Sequence, residues 1–187
     1  MKKTVLTFGL IAGAILSVMM IITVPFHDQI GMDAGYVIGY TTMIVAFLLI
    51  YFGVRSYRDN VAGGTVGFGR AFAIGVLITA VASVCYVATW QVIYFKFEPD
   101  FLSKMQTNEL AKARANGASE EALAKKKAEM DKLQVMYNKP LYNAAFTFVE
   151  PLPVGLVMAL VTAGVLSRRK KGQAGADSAI AGAGAST

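Results

Sequence analysis

Four stretches of the chain are almost entirely apolar, and the segments between them carry nearly all of its charge. They cover residues 5–25, 34–54, 71–95 and 144–167, and Glu150 is the one acidic or basic side chain among them. A bilayer core about 30 Å thick needs roughly 20 apolar residues in a helix that rises about 1.5 Å per residue. Each stretch meets that length, and none shows the two-residue alternation of a membrane strand. The pattern predicts an all-α integral membrane protein with four transmembrane helices.

The first apolar stretch also has the start of a signal peptide, because Lys2 and Lys3 precede it. The apolar core of a signal peptide spans about 7–15 residues and ends at a cleavage site between small residues. Here the apolar run continues through residues 5–25 and ends at Pro25 and Phe26. We therefore expect this stretch to remain in the protein as its first transmembrane helix.

In the short segments, lysine and arginine residues lie at one end of the predicted transmembrane helices. The long segment 96–143 also has nine of them, but seven acids offset them and long loops weigh less in setting orientation. The basic residues that face the cytoplasm if both termini lie there are Lys2, Lys3, Arg55, Arg58, Arg70 and residues 168–171. The short segment 26–33, on the opposite side, has no lysine or arginine. Positive charge in short loops favours the cytoplasmic side of a membrane. We therefore expect cytoplasmic N and C termini, with Arg55, Arg58 and Arg70 as anchors at the inner face.

Residues 96–143 are rich in charge and predict a helical hairpin outside the membrane, between the third and fourth transmembrane helices. Asp100 is placed to cap the first helix of the hairpin, and Asn116 and Gly117 are typical of its end. Ser119 is placed to cap the second helix. The hairpin is either a solvated structure or a docking surface for a protein partner. Residues 1–171 are expected to form one membrane domain, and the Gly/Ala/Ser-rich tail 172–187 is expected to be disordered.

The overall composition excludes an ordinary soluble domain. The 187 residues are 55% hydrophobic and 16% charged, with a mean hydropathy of +0.51, whereas a soluble domain has about 25% charged residues. The net charge of +6 is scattered over the membrane boundaries, so we expect the lipid bilayer and not nucleic acid to be its partner. With one histidine, His27, and one cysteine, Cys85, the chain predicts neither a metal site nor a cofactor.

Polar and aromatic residues of the predicted helices meet near the outer surface when residues are counted from the basic ends. This candidate intramembrane cluster consists of Glu150, Trp90, Gln91, Tyr86 and Tyr94, with Tyr36 and Tyr40 at similar levels. An acid within a membrane span is a functional candidate because a lone carboxylate in hydrocarbon costs several kcal/mol. A structural alternative is that Glu150 is the N-cap of a last helix starting at Pro151, with residues 141–149 as a lead-in turn.

Small residues recur every four positions in the predicted transmembrane helices. Examples are Gly9 and Gly13 in the first, Gly35 and Gly39 in the second, and Gly155 in the fourth. Such stripes let helices approach closely in lipid. Packing within one bundle is the favoured interpretation, and homo-oligomerisation through a leftover stripe is the alternative.

Several motifs resemble the family of bacterial membrane proteins known as domain of unknown function 4199. They are Gly39-Tyr40 with Met43 and Phe47, the run from Tyr51 to Asp59 (YFGVRSYRD), Gly64 with Phe68-Gly69-Arg70-Ala71, Tyr86, Trp90 and Tyr94, Pro99-Asp100-Phe101, Asn138-Lys139-Pro140-Leu141, and Phe148-Val149-Glu150 with Pro153-Val154-Gly155. The resemblance covers nearly the whole chain and implies a four-helix protein of the bacterial inner membrane. It implies no activity, substrate or catalytic residue.

The sequence favours a non-catalytic structural or partner-binding membrane protein that acts through residues 96–143. The alternative is a small oligomeric transporter or channel subunit that uses the polar cluster around Glu150. An enzyme is not expected, because the sequence offers no paired carboxylates and no nucleophile with a base.

Overall fold

The computed structural model describes residues 1–167, and within them every side chain except those of His27 and Asp28. The helices in chain order are α1 (Lys2–Thr23), α2 (His27–Ile30), α3 (Met32–Asn60), α4 (Phe68–Lys96), α5 (Phe101–Ala115), α6 (Glu120–Tyr137), α7 (Pro140–Val149) and α8 (Leu152–Leu166). A 3₁₀ turn, Val24–Phe26, joins α1 to α2, and the described part of the chain has no strand. The basic run 168–171 and the predicted tail 172–187 lie outside the described residues.

Four helical segments are long and apolar enough to cross a membrane. They are Lys2–Phe26, Met32–Asn60, Phe68–Lys96 and Pro140–Leu166. The prediction of an all-α chain with four such helices is confirmed for the described residues. The bundle has two ends: the loop end, where residues 61–67 join α3 to α4, and the hairpin end, where α5 and α6 follow α4.

The ends of the long helices differ from the sequence-based bounds. Helix α3 continues to Asn60, beyond the predicted end at residue 54, so Arg55 and Arg58 lie in a helix and not in a loop. Asp59 supports this extension, because its carboxylate lies 3.6 Å from Nε of Arg55, four residues earlier. Apolar content marks the part of a helix that can sit in lipid, whereas the helix itself ends where its hydrogen bonding ends.

The fourth long segment differs most from the prediction. The predicted helix over 144–167 begins earlier, at Pro140, and residues 141–149 belong to α7 and not to the lead-in turn of the structural alternative for Glu150. The interruption comes at Glu150 and Pro151, because Pro151 and Pro153 lack the N–H groups that would bond the carbonyls of Thr147 and Val149. Glu150 lies in right-handed helical geometry at the C-cap of α7, and Pro151 takes the N-cap position of α8 without a side-chain bond. The predicted N-cap role of Glu150 is therefore wrong.

Small residues bring α1, α4 and α8 into close contact. A Cβ atom built on Gly13 would lie 2.6 Å from Cβ of Cys85, and one built on Gly155 would lie 2.2 Å from Cγ2 of Thr79. A Cβ on Gly75 would meet Cβ of Ala159 at 2.6 Å. Separations this short leave no space for a side chain at these three glycines. These stripes therefore serve packing within the bundle, as the favoured interpretation predicted.

The core at the loop end is tightly packed. Its fully buried members come from all four long helical segments and include Ala12, Ala46, Phe47, Ile50, Val54, Ala71, Ile74, Ile78, Ala82, Ala159 and Ala163. Six of these eleven side chains are alanine, and Ile50 and Ile78 lie against glycines, so the helix axes approach closely. A second core cluster at the hairpin end contains Met20, Trp90, Ile93, Tyr94 and Leu102.

Helices α5 and α6 form the predicted helical hairpin. Helix α5 ends at Ala115, and Gly117 adopts a φ of +81°, which a residue without a Cβ atom reaches freely. Ser119 caps α6 as predicted, since its hydroxyl accepts a hydrogen bond from the backbone N–H of Ala122 at 3.2 Å. Asp100 occupies the N-cap position of α5, but its side chain makes no cap hydrogen bond.

Candidate functional site

A cavity of about 380 Å³ lies at the hairpin end of the bundle. Residues of α1, α3, α4 and α7 form its walls, and residues of α5 and α6 cover it. Its aromatic lining residues are Tyr36, Tyr40, Tyr86, Trp90, Phe101, Tyr137 and Phe146, and its methionines are Met19, Met20, Met32, Met43 and Met105. The volume falls within the range of about 300–1,000 Å³ that small-molecule sites occupy.

The cavity lies beside the first half of α3, where no residue packs against Gly39. Gly35 and Gly39 line the cavity, and a Cβ atom built on Gly39 would have no neighbour within 4 Å. Gly9 and Gly13 have the same four-residue spacing in α1, but side chains of α4 occupy the space beside both of them. The cavity ends where the tightly packed core at the loop end begins.

Glu150 is the one acidic or basic residue in the described lining of the cavity. The hydroxyl of Tyr86 donates a hydrogen bond to its Oε2 atom at 3.1 Å, and among the described residues its Oε1 atom accepts none. The Glu150 side chain is exposed and not sealed in the core. A carboxyl group thus stands in an apolar, aromatic surrounding, and one of its two oxygens has no hydrogen bond from the described residues.

The structure brings together three of the five residues of the predicted cluster. Tyr86, Trp90 and Glu150 line the cavity, whereas Gln91 and Tyr94 do not. The amide of Gln91 donates to the carbonyl of Pro140 at 2.9 Å and to Oδ1 of Asn143 at 3.2 Å. Gln91 and Tyr94 thus belong to a structural contact, described next, and not to the cavity wall.

Three side chains of α4 hold the cover of the cavity in place. Nε1 of Trp90 donates to the hydroxyl of Tyr137 at 2.9 Å, and the hydroxyl of Tyr94 donates to Oδ1 of Asn138 at 2.6 Å. With the Gln91 contacts, these bonds form a clamp between α4 and the junction of α6 with α7. Burial is the main cause that raises the pKa of Tyr137, so its hydroxyl stays protonated at neutral pH.

The sequence analysis did not predict that residues of the hairpin line this cavity. Met105, Leu133 and Tyr137 reach it from α5 and α6. Leu133 and Tyr137 do lie in the apolar series of α6, which is the signal that one face of the hairpin is covered. Which part of the bundle covers that face of the hairpin can be learned only from the structure.

A groove of about 420 Å³ adjoins the cavity on the hairpin side. It shares Tyr36, Met105 and Leu133 with the cavity, and its charged lining residues are Glu109, Lys126 and Glu129. The hydroxyl of Tyr36 donates to Sδ of Met105 at 3.2 Å, so this pair stands between the two spaces. The groove connects the cavity wall with the exposed side of the hairpin.

Comparison with known proteins places the chain in a family. The sequence profile described as "Protein of unknown function (DUF4199)" matches residues 7–168. The chain belongs to the DUF4199 family. This confirms the resemblance seen in the sequence motifs, and the matched range includes every residue that lines the cavity. No curated protein and no solved structure matches this DUF4199 chain.

The arginines predicted as anchors lie at the loop end of the DUF4199 bundle, opposite the cavity. Nε of Arg58 donates to Oδ1 of Asp59 at 2.7 Å, and Arg70 lies in the first turn of α4. Their role at a membrane surface stays a prediction.

The described part of the DUF4199 chain contains no group of three His, Cys, Asp or Glu residues placed to hold a metal ion. Cys85 is a free thiol, packed against Gly13. The chemistry available in the cavity is therefore that of one carboxylate, several hydroxyls and many aromatic and thioether groups.

Proposed function

We propose that this DUF4199 chain is a multi-pass protein of the bacterial inner membrane that binds a small, largely apolar molecule without converting it chemically. The observation that carries this proposal is the cavity of about 380 Å³ with its single carboxylate. Binding sites for small molecules are concave and mostly apolar, with a few polar groups that orient the ligand. A lining with one acid and no base paired to a nucleophile supports binding more than catalysis.

The surface of the bundle supports insertion into lipid. Helices α3 and α4 have 29 residues each, which corresponds to about 43 Å and exceeds the roughly 30 Å hydrocarbon core. Large apolar side chains such as Val37, Val45 and Val157 are exposed along the long helices, and lipid is the solvent that suits them. Glu150 lies ten residues into Pro140–Leu166, which places it about 15 Å from the hairpin end.

The proposed topology puts both termini and the loop end in the cytoplasm and the hairpin on the other side. Single cysteines replace Gln29, Ala115 and Gln173 in a Cys85→Ala background, which keeps the Cβ atom that packs at Gly13. In intact spheroplasts, an impermeant thiol reagent is expected to label Gln29→Cys and Ala115→Cys, and to label Gln173→Cys only after lysis. Labelling of Gln173→Cys but not Ala115→Cys in intact spheroplasts contradicts this topology.

The contacts of the hairpin support a role in covering the cavity more than a role as a charged docking surface for a protein partner. Several of its ionic groups pair within the chain, for example Lys126 with Glu109 at 3.0 Å and Lys127 with Asp131 at 2.8 Å. Hydrogen bonds from Lys127 and Gln106 lower the pKa of the Asp131 carboxyl. The hydrogen bond from Lys112 to Asp33 joins α5 to the start of α3 and raises the pKa of the lysine. The Lys112–Asp33 contact thus holds the hairpin on the bundle, and the pairs between α5 and α6 hold the two hairpin helices together.

The transporter or channel alternative requires a path through the bundle. The cavity reaches from the hairpin end to the level of Leu16 and Met43, and beyond it the side chains of Phe47, Ile50 and Ile78 are fully buried. A closed-ended cavity in one chain supports binding over conduction. Transport by this chain would therefore need either a rearrangement of that core or a path between several copies.

Filling the cavity tests the proposed function. Trp90 is the single tryptophan of the chain and lies on the cavity wall, so its fluorescence reports on contact with a bound quencher. The probe is the tert-butyl derivative of TEMPO, a neutral apolar nitroxide, added to the full chain in a non-ionic detergent. For the wild type we expect saturable quenching of Trp90. For Gly39→Phe we expect the Kd of the nitroxide to rise by about tenfold or more, because the new ring occupies the space of the ligand.

The matched control is Gly164→Phe. Gly164 also has no neighbour within 4 Å of a built Cβ atom, but it does not line the cavity. The nitroxide should quench Trp90 in this variant with the same Kd as in the wild type. Equal quenching of Gly39→Phe and the wild type would falsify the binding role of the cavity.

A further inference from the structure

We propose that the ligand of this cavity is an alkylated organic ammonium ion that carries one positive charge and no phosphate. This inference rests on the proposed function, namely that the cavity is a binding site, and adds the chemical class of its ligand. It places the positive charge between the Glu150 carboxylate and the rings of Tyr86 and Trp90, with the apolar part of the ligand against the methionines.

The charge of the ligand follows from the lining. Glu150 contributes a negative charge, and the described lining contains no lysine, arginine or histidine to balance it. Tyr86 satisfies Oε2 with a hydrogen bond at 3.1 Å, which leaves Oε1 without a donor among the described residues. A carboxylate in an apolar site is stabilised by an opposite charge at close range. A cationic ligand supplies that charge, whereas an anionic ligand would add repulsion.

The aromatic residues point to an alkylated ammonium group. Rings of tyrosine and tryptophan attract cations through their faces, and such rings form the cages that recognise quaternary ammonium groups. A primary ammonium also needs acceptors for three N–H bonds. Here Oε1 of Glu150 is the one carboxylate oxygen of the described lining without a donor, and the other side-chain acceptors are single hydroxyl or thioether groups. An alkylated ammonium has few or no N–H groups, so one carboxylate oxygen and the faces of aromatic rings are enough to hold it.

The remaining walls accept the apolar part of the ligand. Five methionines line the cavity, and thioether side chains adapt to apolar shapes because they are flexible and polarisable. The same lining disfavours the headgroup of a zwitterionic lipid. Its phosphate would lie close to Glu150 with no basic lining residue to pair with it. We therefore commit to a free ammonium compound.

The adjoining groove fits the approach of a cation. Glu109 and Glu129 provide two acids against one base, Lys126. Glu109 is paired with Lys126 at 3.0 Å and lies 3.9 Å from Lys112, so Glu129, which is exposed and has no ion pair among the described residues, is the acid left to attract a cation. An acidic entrance raises the local concentration of a cation. The Tyr36–Met105 contact is the point at which such a molecule passes from the groove into the cavity.

The test compares two nitroxides of nearly the same shape on the full chain in a non-ionic detergent. One is the trimethylammonium derivative of TEMPO, and the other is its neutral tert-butyl derivative. Quenching of Trp90 gives a Kd for each. We expect the cation to bind more tightly than the neutral compound. In Glu150→Gln the cation should lose about tenfold or more in affinity, as expected for a hydrogen-bonded or paired charge, while the neutral compound stays within about twofold.

Two further variants separate a lost charge from a damaged fold. Glu121→Gln removes an exposed acid of α6 that is outside the cavity and should leave both Kd values unchanged. Glu150→Asp retains the charge and should keep most of the preference for the cation. Thermal unfolding of each variant shows whether the bundle is intact.

The outcomes distinguish this inference from the proposed function. If both nitroxides bind equally well and Glu150→Gln affects neither, the ammonium assignment is wrong but the cavity still binds apolar molecules. If neither nitroxide quenches saturably, the proposed function fails as well. Displacement of the cationic nitroxide by phosphatidylcholine vesicles, but not by tetrabutylammonium, would show a lipid headgroup as the ligand and overturn the choice of a free ammonium compound.

Discussion

Trp90→Ala is expected to destabilise the protein by about 3–5 kcal/mol, the cost of removing a large aromatic side chain from a packed core. Trp90 is 7% exposed, and its ring packs edge-on against Phe101 with centroids 5.0 Å apart. The substitution also removes the hydrogen bond to Tyr137 and thereby weakens the clamp that holds the hairpin on α4. Thermal unfolding in a non-ionic detergent measures the loss, and trypsin cleavage within α5 and α6 should become faster.

Phe97→Ala is the matched control for Trp90→Ala. Phe97 follows α4 directly and is 73% exposed, so its truncation leaves no internal cavity. We expect its melting temperature to stay close to that of the wild type. If Trp90→Ala melts at the same temperature as Phe97→Ala, the hairpin does not depend on the clamp.

Gly155→Ala is expected to cost about 1–3 kcal/mol through overpacking of α8 against α4. The added Cβ would lie 2.2 Å from Cγ2, 2.5 Å from Oγ1 and 2.9 Å from Cβ of Thr79. Rotation of the threonine side chain leaves its Cβ in place, so the two helices must move apart. The melting temperature and the yield of folded protein in detergent measure the effect.

Two variants accompany Gly155→Ala. Gly164→Ala lies on the same helix and meets no atom within 4 Å, so it should be neutral or gain up to about 1 kcal/mol from helix propensity. Thr79→Ala combined with Gly155→Ala removes the two nearest atoms and should restore part of the lost stability. A destabilised Gly164→Ala, or no rescue by Thr79→Ala, speaks against a steric cause.

The four long helices could be predicted from the sequence because helices that face lipid must be apolar over a known length. Their ends were harder to predict, since residues 55–60 and 140–143 continue the helices beyond the unbroken apolar stretches. The position of Glu150 was judged by a local capping rule. A tertiary contact with Tyr86 and the two prolines that follow decide its actual place.

The cavity itself could not be predicted from the sequence. Gly9 and Gly13 in α1 have the same spacing as Gly35 and Gly39 in α3, and the pattern predicts close packing for both pairs. Side chains of α4 fill the space beside the first pair, whereas the space beside Gly39 stays empty. Which stripe finds a partner depends on how the helices cross, and residue spacing does not contain that information.

The central place of α4 has a consequence for the order in which the protein is assembled. Helix α4 contacts α1, α3, α7 and α8, and a chain made from its N-terminus completes the first three of its long helices before the fourth. The nascent three-helix stage has α4 with its Gly75–Thr79 surface still uncovered and lacks the wall that carries Glu150. The fourth long helical segment to leave the ribosome therefore closes the bundle and delivers the Glu150 carboxyl group in the same step.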